Sequence, residues 1–208
     1  MVGERRRYEK IKYVSIDIET CGVDEDTCDI IEFAAVLDDL TDMKPMDELP
    51  VFHRYFIKDK YVGEPYALSM HPKIFRAIAE RSNAEDKWKY ISATKLGNAF
   101  KKFLVKYGYE EKHSKVVITV AGKNFSSFDL QFLKKKTDLL KHVDIRHRVI
   151  DPSILYIENG DNAPPATLEC KRRAGIVGEV AHTAEADAKD VIQLVRNGIG
   201  DRFRATLQ

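Results

Sequence analysis

Two acids stand two residues apart in Ser15-Ile16-Asp17-Ile18-Glu19. The surrounding run, Ile11 to Glu19, alternates and is rich in β-branched residues, which predicts a strand. Side chains alternate across a strand, so Val14, Ile16 and Ile18 face one way while Ser15, Asp17 and Glu19 face the other. A third acid, Asp129, opens a helix expected from about Ser127 to Thr137 and shares a face with Phe132 and Leu133. A fourth, Asp187, has Ala184 at i−3, Val191 at i+4 and Leu194 at i+7, which puts it on the apolar stripe of a helix over Thr183 to Asn197. His182 precedes Asp187 by five residues, too far round for one helical face. It belongs on the loop entering that helix, where a side chain can swing over a site.

Each feature has an ordinary alternative. The strand pair could be a solvated edge, Asp129 an acid answering the helix dipole, and Asp190, at the edge of the Asp187 stripe, a solvated carboxylate. Taken together they say more. Four carboxylates from three distant segments, aimed at the same side of one sheet, raise one another's pKa values unless cations sit among them. A pair of Mg²⁺ or Mn²⁺ ions about 3.5–4 Å apart relieves that repulsion and makes a phosphoryl-transfer site. Hard oxygen donors without cysteine or clustered histidine favour Mg²⁺ or Mn²⁺ over zinc.

The elements that must position these groups follow from the pattern. Residues 1–10 read as a flexible charged arm, with no apolar signal-peptide region after it. Residues 11–208 read as one domain. The strand from Ile11, a second over Ile30 to Leu37 and a third over Val51 to Ile57 are joined by links too short for a helical crossover, so they run antiparallel. Thr41 to Pro50, with two prolines, is the loop before the third strand. Helices are expected from His71-Pro72 onward, and from Ser92 as a cap through Leu96, Phe100, Phe103, Leu104 and Tyr107 to a stop at Gly108. Val116 to Val120 reads as a buried strand, Val143 to Ile150 as the final strand, and Thr167 to Ala174 as a short helix. The result is an α/β fold with a mixed central sheet of about five strands, three antiparallel and then parallel, flanked by helices.

Of the 208 residues, 44% are hydrophobic and 32% charged, enough to fill a core and solvate a surface. That composition excludes a disordered chain, and no apolar stretch approaches the ~20 residues of a membrane span. Thirty-four basic against thirty-three acidic residues give a net charge of +1, which argues for a small footprint on any nucleic acid. Cys21, Cys28 and Cys170 match no disulfide framework or zinc spacing and point to a reducing, cytoplasmic setting.

With these motifs in place, the sequence resembles the DEDDh family of 3′–5′ exonucleases, which have a ribonuclease H-like fold and include oligoribonuclease and proofreading domains. The first motif is similar at Ser15-Ile16-Asp17-Ile18-Glu19-Thr20-Cys21-Gly22, the second at Asn124 through Phe128-Asp129-Leu130-Gln131-Phe132-Leu133, and the third at His182-Thr183-Ala184-Glu185-Ala186-Asp187. They occur in family order and span roughly residues 11 to 198. Cys21 stands where many members have a second threonine, and Asn124 precedes Asp129 by five residues where many members have four. Neither departure removes a ligand.

The resemblance implies two Mg²⁺ or Mn²⁺ ions on Asp17, Glu19, Asp129 and Asp187, with His182 as general base. The reaction it implies is release of nucleoside 5′-monophosphates from the 3′ ends of single-stranded DNA or short RNA. It also implies that Thr20 and Gly22 lie beside the terminal sugar and that Asn124 and Phe128 contact substrate, Phe128 by stacking on a base or else packing in the core. The segment Tyr66 to His71 would line the entrance for the terminal base. Lys134-Lys135-Lys136 and Lys171-Arg172-Arg173 either steer phosphates or are simply solvated. Association with a polymerase as a proofreading subunit, or with a second copy as a homodimer, stays open, and no membrane contact is expected. A silent binding module would be expected to lose one of the five catalytic side chains, and an internally cutting ribonuclease H-type enzyme is disfavoured by the His182-to-Asp187 spacing.

Overall fold

The computed structural model describes residues 11–178 and 182–204; the expected arm, residues 1–10, lies outside them. Strand β1 (Lys12–Thr20) is flanked by β2 (Ile30–Asp39) and then β3 (Val51–Phe56), all antiparallel. The β1–β2 register runs from Lys12 opposite Asp39 to Glu19 opposite Glu32. It then shifts, with Thr20 opposite Ile30. This irregularity falls where the strand delivers its acids, a common place for a bulge to re-aim side chains.

Helices α1 (Pro65–Met70) and α2 (Pro72–Ala79) follow, then β4 (Tyr90–Ile91), which runs parallel to β3 with Tyr90 stacked on Tyr55. Helix α1 buries no residue, so it carried no apolar pattern to announce it. Helix α3 (Leu96–Lys106) ends, as expected, at Gly108, whose φ of +81° suits glycine. Ser92 does not cap α3. One 3₁₀ turn, Ala93–Lys95, intervenes, and the Ser92 hydroxyl meets Thr94 Oγ1 at 3.0 Å instead.

The run expected as one strand at Val116 to Val120 divides at Thr119. After β5 (Glu111–Lys112), its first half, β6 (Lys115–Ile118), belongs to a smaller sheet; its second, β7 (Val120–Ala121), pairs in parallel with β1. Helices α4 (Asp129–Lys136) and α5 (Leu139–His142) lead to β8 (Val143–Ile145). The expected final strand is therefore shorter, and it pairs with β6 in a sheet ordered β5-β6-β8. Only a single bridge, Ala121 to Ile150, ties its continuation to β7. The central sheet is mixed and five-stranded, ordered β4-β3-β2-β1-β7, its fifth member being the two-residue β4 rather than the segment after Val143. Helices α6 (Thr167–Arg173) and α7 (Ala184–Arg204) close the described chain.

Alternation along β1 builds two cores. Val14, Ile16 and Ile18 join Phe33, Phe52, Phe100 and Leu104 on the face covered by α3, where burying each large side chain stabilises the fold by roughly 1.5–3 kcal/mol. Phe132 and Leu133 of α4 and Leu139 of α5 belong to this same core. On the opposite face, Ala188, Val191, Ile192 and Val195 of α7 pack against Tyr13, Val36 and Ala121. Among the described residues no helix is long and apolar enough to cross a membrane.

Candidate metal centre

The face of β1 that carries Asp17 and Glu19 lies beneath α7, and two contacts fix that helix in place. Ser15 Oγ donates to the Ala188 carbonyl at 2.7 Å. The Ala184 amide, at the start of α7, donates to Glu32 Oε2 at 2.9 Å. Glu32 sits opposite Glu19 in the neighbouring strand and is almost fully buried, and its other oxygen lies 2.6 Å from His53 Nε2. Two such bonds, one to β1 and one to β2, set the rotation of α7 and so the direction of Asp187.

Asp17, Glu19 and Asp187 accordingly each present a carboxylate oxygen within 4.8 Å of the other two. Asp187 Oδ1 is buried and has no hydrogen-bond partner. Asp129, the first residue of α4, is buried too, and among neighbouring charges it perturbs Asp17 most. It does not come from the α7 face. Phe132 and Leu133 hold α4 in the core on the α3 side, so Asp129 reaches the other acids from the opposite layer.

The electrostatics follow from this crowding. Burial, then the charges of Asp129, Glu19 and Asp187, holds the Asp17 carboxyl well above the usual carboxylate range. Glu19 is pushed up to about 8, by burial first and then by Asp187 and Glu32. Burial raises Asp129 to about 7, although backbone N–H groups of Asp129 and Ile18 pull the other way. Asp187 rises to about 6 through burial and the charge of Asp190, with His182 and Lys171 opposing. No lysine or arginine ion-pairs with these four acids among the described residues; Lys171, the nearest candidate, is bound to Asp190 at 2.7 Å. Clustered hard oxygens, one of them orphaned, fit a divalent cation.

The other residues singled out in the sequence are distributed unevenly around this cluster. His182 is exposed, with a left-handed backbone (φ +50°), at the entry to α7. His71, between α1 and α2, is buried with its Nε2 3.6 Å from Glu19 Oε2 and its Nδ1 without a partner; burial lowers its pKa. The chain before it is stapled to the turn after Glu19, since the Glu64 amide donates to the Cys21 carbonyl at 2.7 Å and a Cβ on Gly63 would collide with that turn. Thr20 turns its hydroxyl to the Gly22 carbonyl at 2.7 Å, and Gly22 is itself buried against Cys28 and Glu64. Asn124 is exposed at φ +54°. Phe128 packs its ring 5.2 Å from that of Phe132 while remaining partly open.

Most of the groups in the two basic runs, Lys134 to Lys136 and Lys171 to Arg173, are already neutralised. Lys135 pairs with Glu25 and Asp26, Lys171 with Asp190, Arg172 with Glu169, and Arg173 with Asp161 and Glu169. The Lys171-Arg172-Arg173 run is thus built into the fold, and Asp190 is a buried-pair acid rather than a solvated one. Sequence reasoning missed Glu32 and His53, which hold the site together from β2 and β3. The one available signal was a glutamate inside the otherwise apolar run Ile30 to Leu37.

No protein-family model matches the sequence and no curated protein is similar to it. Solved structures do resemble the fold. The structure of E. coli exonuclease I in complex with a dT13 oligonucleotide superposes with a TM-score of 0.56 at 18% identity, covering 94% of this chain and 43% of that one. A product-bound exonuclease I gives 0.57 at 16% identity, covering 94% and 45%. Cell-death related nuclease 4 gives 0.60 at 14% identity, covering 91% and 64%. The chain spans less than half the length of the exonuclease I chains. It has the fold shared by these nucleases, the ribonuclease H-like fold that its three motifs resemble.

Proposed function

We propose that the chain is a metal-dependent 3′–5′ exonuclease that releases nucleoside 5′-monophosphates from single-stranded DNA or short RNA, with residues 11–208 forming the exonuclease domain. The observation that carries this reading is the convergence of Asp17, Glu19 and Asp187 around an orphaned carboxylate oxygen, with Asp129 beside them. The fold shared with exonuclease I supports it. The three cysteines, all free and buried, support a reducing, cytoplasmic setting.

Asp17, Glu19, Asp129 and Asp187 would hold two Mg²⁺ or Mn²⁺ ions, with Asp17 at the centre of the set. When bound, such a pair supplies Lewis acidity and offsets the charge of the phosphodiester. His182 takes the proton of the attacking water on an imidazole nitrogen, the side-chain type most often used as a general base. Attack in line on phosphorus breaks the bond to the 3′ oxygen of the penultimate nucleotide, and that oxygen recovers a proton as the mononucleotide leaves. Phe128, partly open beside Asp129, offers a ring to a base, and Asn124 a free side chain nearby. His71 shapes the wall beside Glu19, and the buried turn of Thr20 and Gly22 presents backbone to the terminal sugar.

The test is a product ladder from 5′-labelled oligomers with free and blocked 3′ ends. Expected is stepwise shortening of the free-ended strand, no reaction on the blocked one, and no activity in Asp17→Ala protein. Cleavage of the blocked strand, or wild-type digestion by Asp17→Ala protein, would contradict the assignment.

A further inference from the structure

Between α4 and the segment that follows β8 lies a groove of about 540 Å³. Its floor is apolar and half-buried: Leu130, Leu140, Ile145 and Val149. Cations line its walls. Lys134 and Arg146 are exposed and form no ion pair or side-chain hydrogen bond among the described residues. The one acid in the lining, Asp144, is neutralised by Lys115 at 2.8 Å.

Lys135, Lys171, Arg172 and Arg173, by contrast, are each paired with carboxylates. What distinguishes the groove is that two cations without a carboxylate partner among the described residues stand over one apolar floor. An apolar floor under unpaired cations complements a chain with flat, weakly polar bases on one side and anionic phosphates on the other. A folded protein partner would need matching carboxylates and apolar side chains at the same spacing, whereas a flexible polyanion needs only reach.

The position is equally specific. Ser126, which lines the groove, lies three residues before Asp129, and Leu130 directly follows it. Lys134 is five residues farther along the same helix, about 7.5 Å at 1.5 Å per residue. The groove thus begins where α4 begins, with lining residues on either side of Asp129 in the chain.

We propose that this groove is a binding site for the single-stranded nucleic acid upstream of the 3′ terminus, gripping it through Lys134 and Arg146. The inference rests on the exonuclease reading, and it makes affinity depend on strand length where the metal centre alone would not. Neither residue belongs to the catalytic set.

The experiment compares wild type with a Lys134→Gln/Arg146→Gln variant, checked by thermal unfolding to share the wild-type midpoint. Binding of fluorescent dT2 and dT15 is measured in EDTA over a range of salt, and hydrolysis of both is measured with Mn²⁺. Wild type is expected to bind dT15 more tightly than dT2. In the variant, dT15 binding should weaken roughly ten- to thirtyfold near 0.1 M salt, and the slope of log affinity against log salt should fall by about 1.4, the loss of two contacts on a single strand. Hydrolysis of dT2 should be unchanged. Equal dT15 affinity and slope in the two proteins, or wild-type binding that ignores strand length, would overturn the groove. Absence of hydrolysis by wild type, with the binding difference intact, would instead remove the exonuclease reading and leave the groove standing as a binding site.

Discussion

Replacing Asp187 with Asn removes a charge whose oxygen is buried and unpartnered, while keeping the side chain's shape. Asp187 rises to about 6 from an ordinary 3.8, through burial first and then the charge of Asp190. At about 1.36 kcal/mol per pKa unit, a shift of that size has a ceiling of about 3 kcal/mol. The side chain is partly open, so screening reduces the realistic cost of its ionised form to about 1–2 kcal/mol. The sign is fixed by proton uptake. Between about pH 4 and pH 6 the folded chain holds a proton that the unfolded chain has released, so wild-type stability falls as pH rises through that window. At pH 7.5 the whole penalty is present, and Asp187→Asn relieves it. In EDTA the variant should therefore melt roughly 2–8 °C above wild type, at 2–4 °C per kcal/mol for a chain of this size. Manganese should reverse the ranking, because a cation at a hundredfold excess over its dissociation constant stabilises wild type by about 2.7 kcal/mol and the variant has lost a donor. Differential scanning fluorimetry at pH 5, 6 and 7.5, with and without Mn²⁺, reads both effects. A variant less stable than wild type in EDTA, or one that keeps the full manganese shift, would refute the view that these acids are held apart from their preferred state until a cation arrives.

Two further outcomes follow from named contacts. His182→Ala should slow turnover by ~10²–10⁴-fold, the usual contribution of a general base, while the manganese-induced rise in melting temperature survives; loss of that rise would make His182 a ligand instead. Glu32→Ala removes the acceptor for the Ala184 amide and the partner of His53, so it should cost about 1–3 kcal/mol and weaken manganese binding. Glu32→Gln, which keeps an acceptor for Ala184, should recover part of both in melting and titration experiments. Equal effects from Ala and Gln would show that the charge rather than the bond matters there.

Much of this site is legible in the sequence because its acids break local rules. Asp187 interrupts an apolar helical stripe, and Asp17 and Glu19 share one face of a strand that turns out to be covered by α7. Those violations are visible without a structure. Glu32 breaks a rule as well, but a single glutamate in a strand is easily taken for an edge, and its partners Ala184 and His53 lie far along the chain. The layer from which Asp129 arrives is not legible, because a helix face shows what is buried, not on which side of the sheet. Strand membership failed for a related reason. The apolar run at Val116 to Val120 signals burial, yet its division between β8 and β1 is a matter of tertiary pairing. Two-residue β4 and solvent-facing α1 are too short or too exposed to carry a period.

The most direct measurement is anomalous diffraction from a crystal soaked in manganese. Two peaks about 3.5–4 Å apart, bounded by Asp17, Glu19, Asp129 and Asp187, are the expected result. Density elsewhere on the protein, or none between these carboxylates, would contradict it.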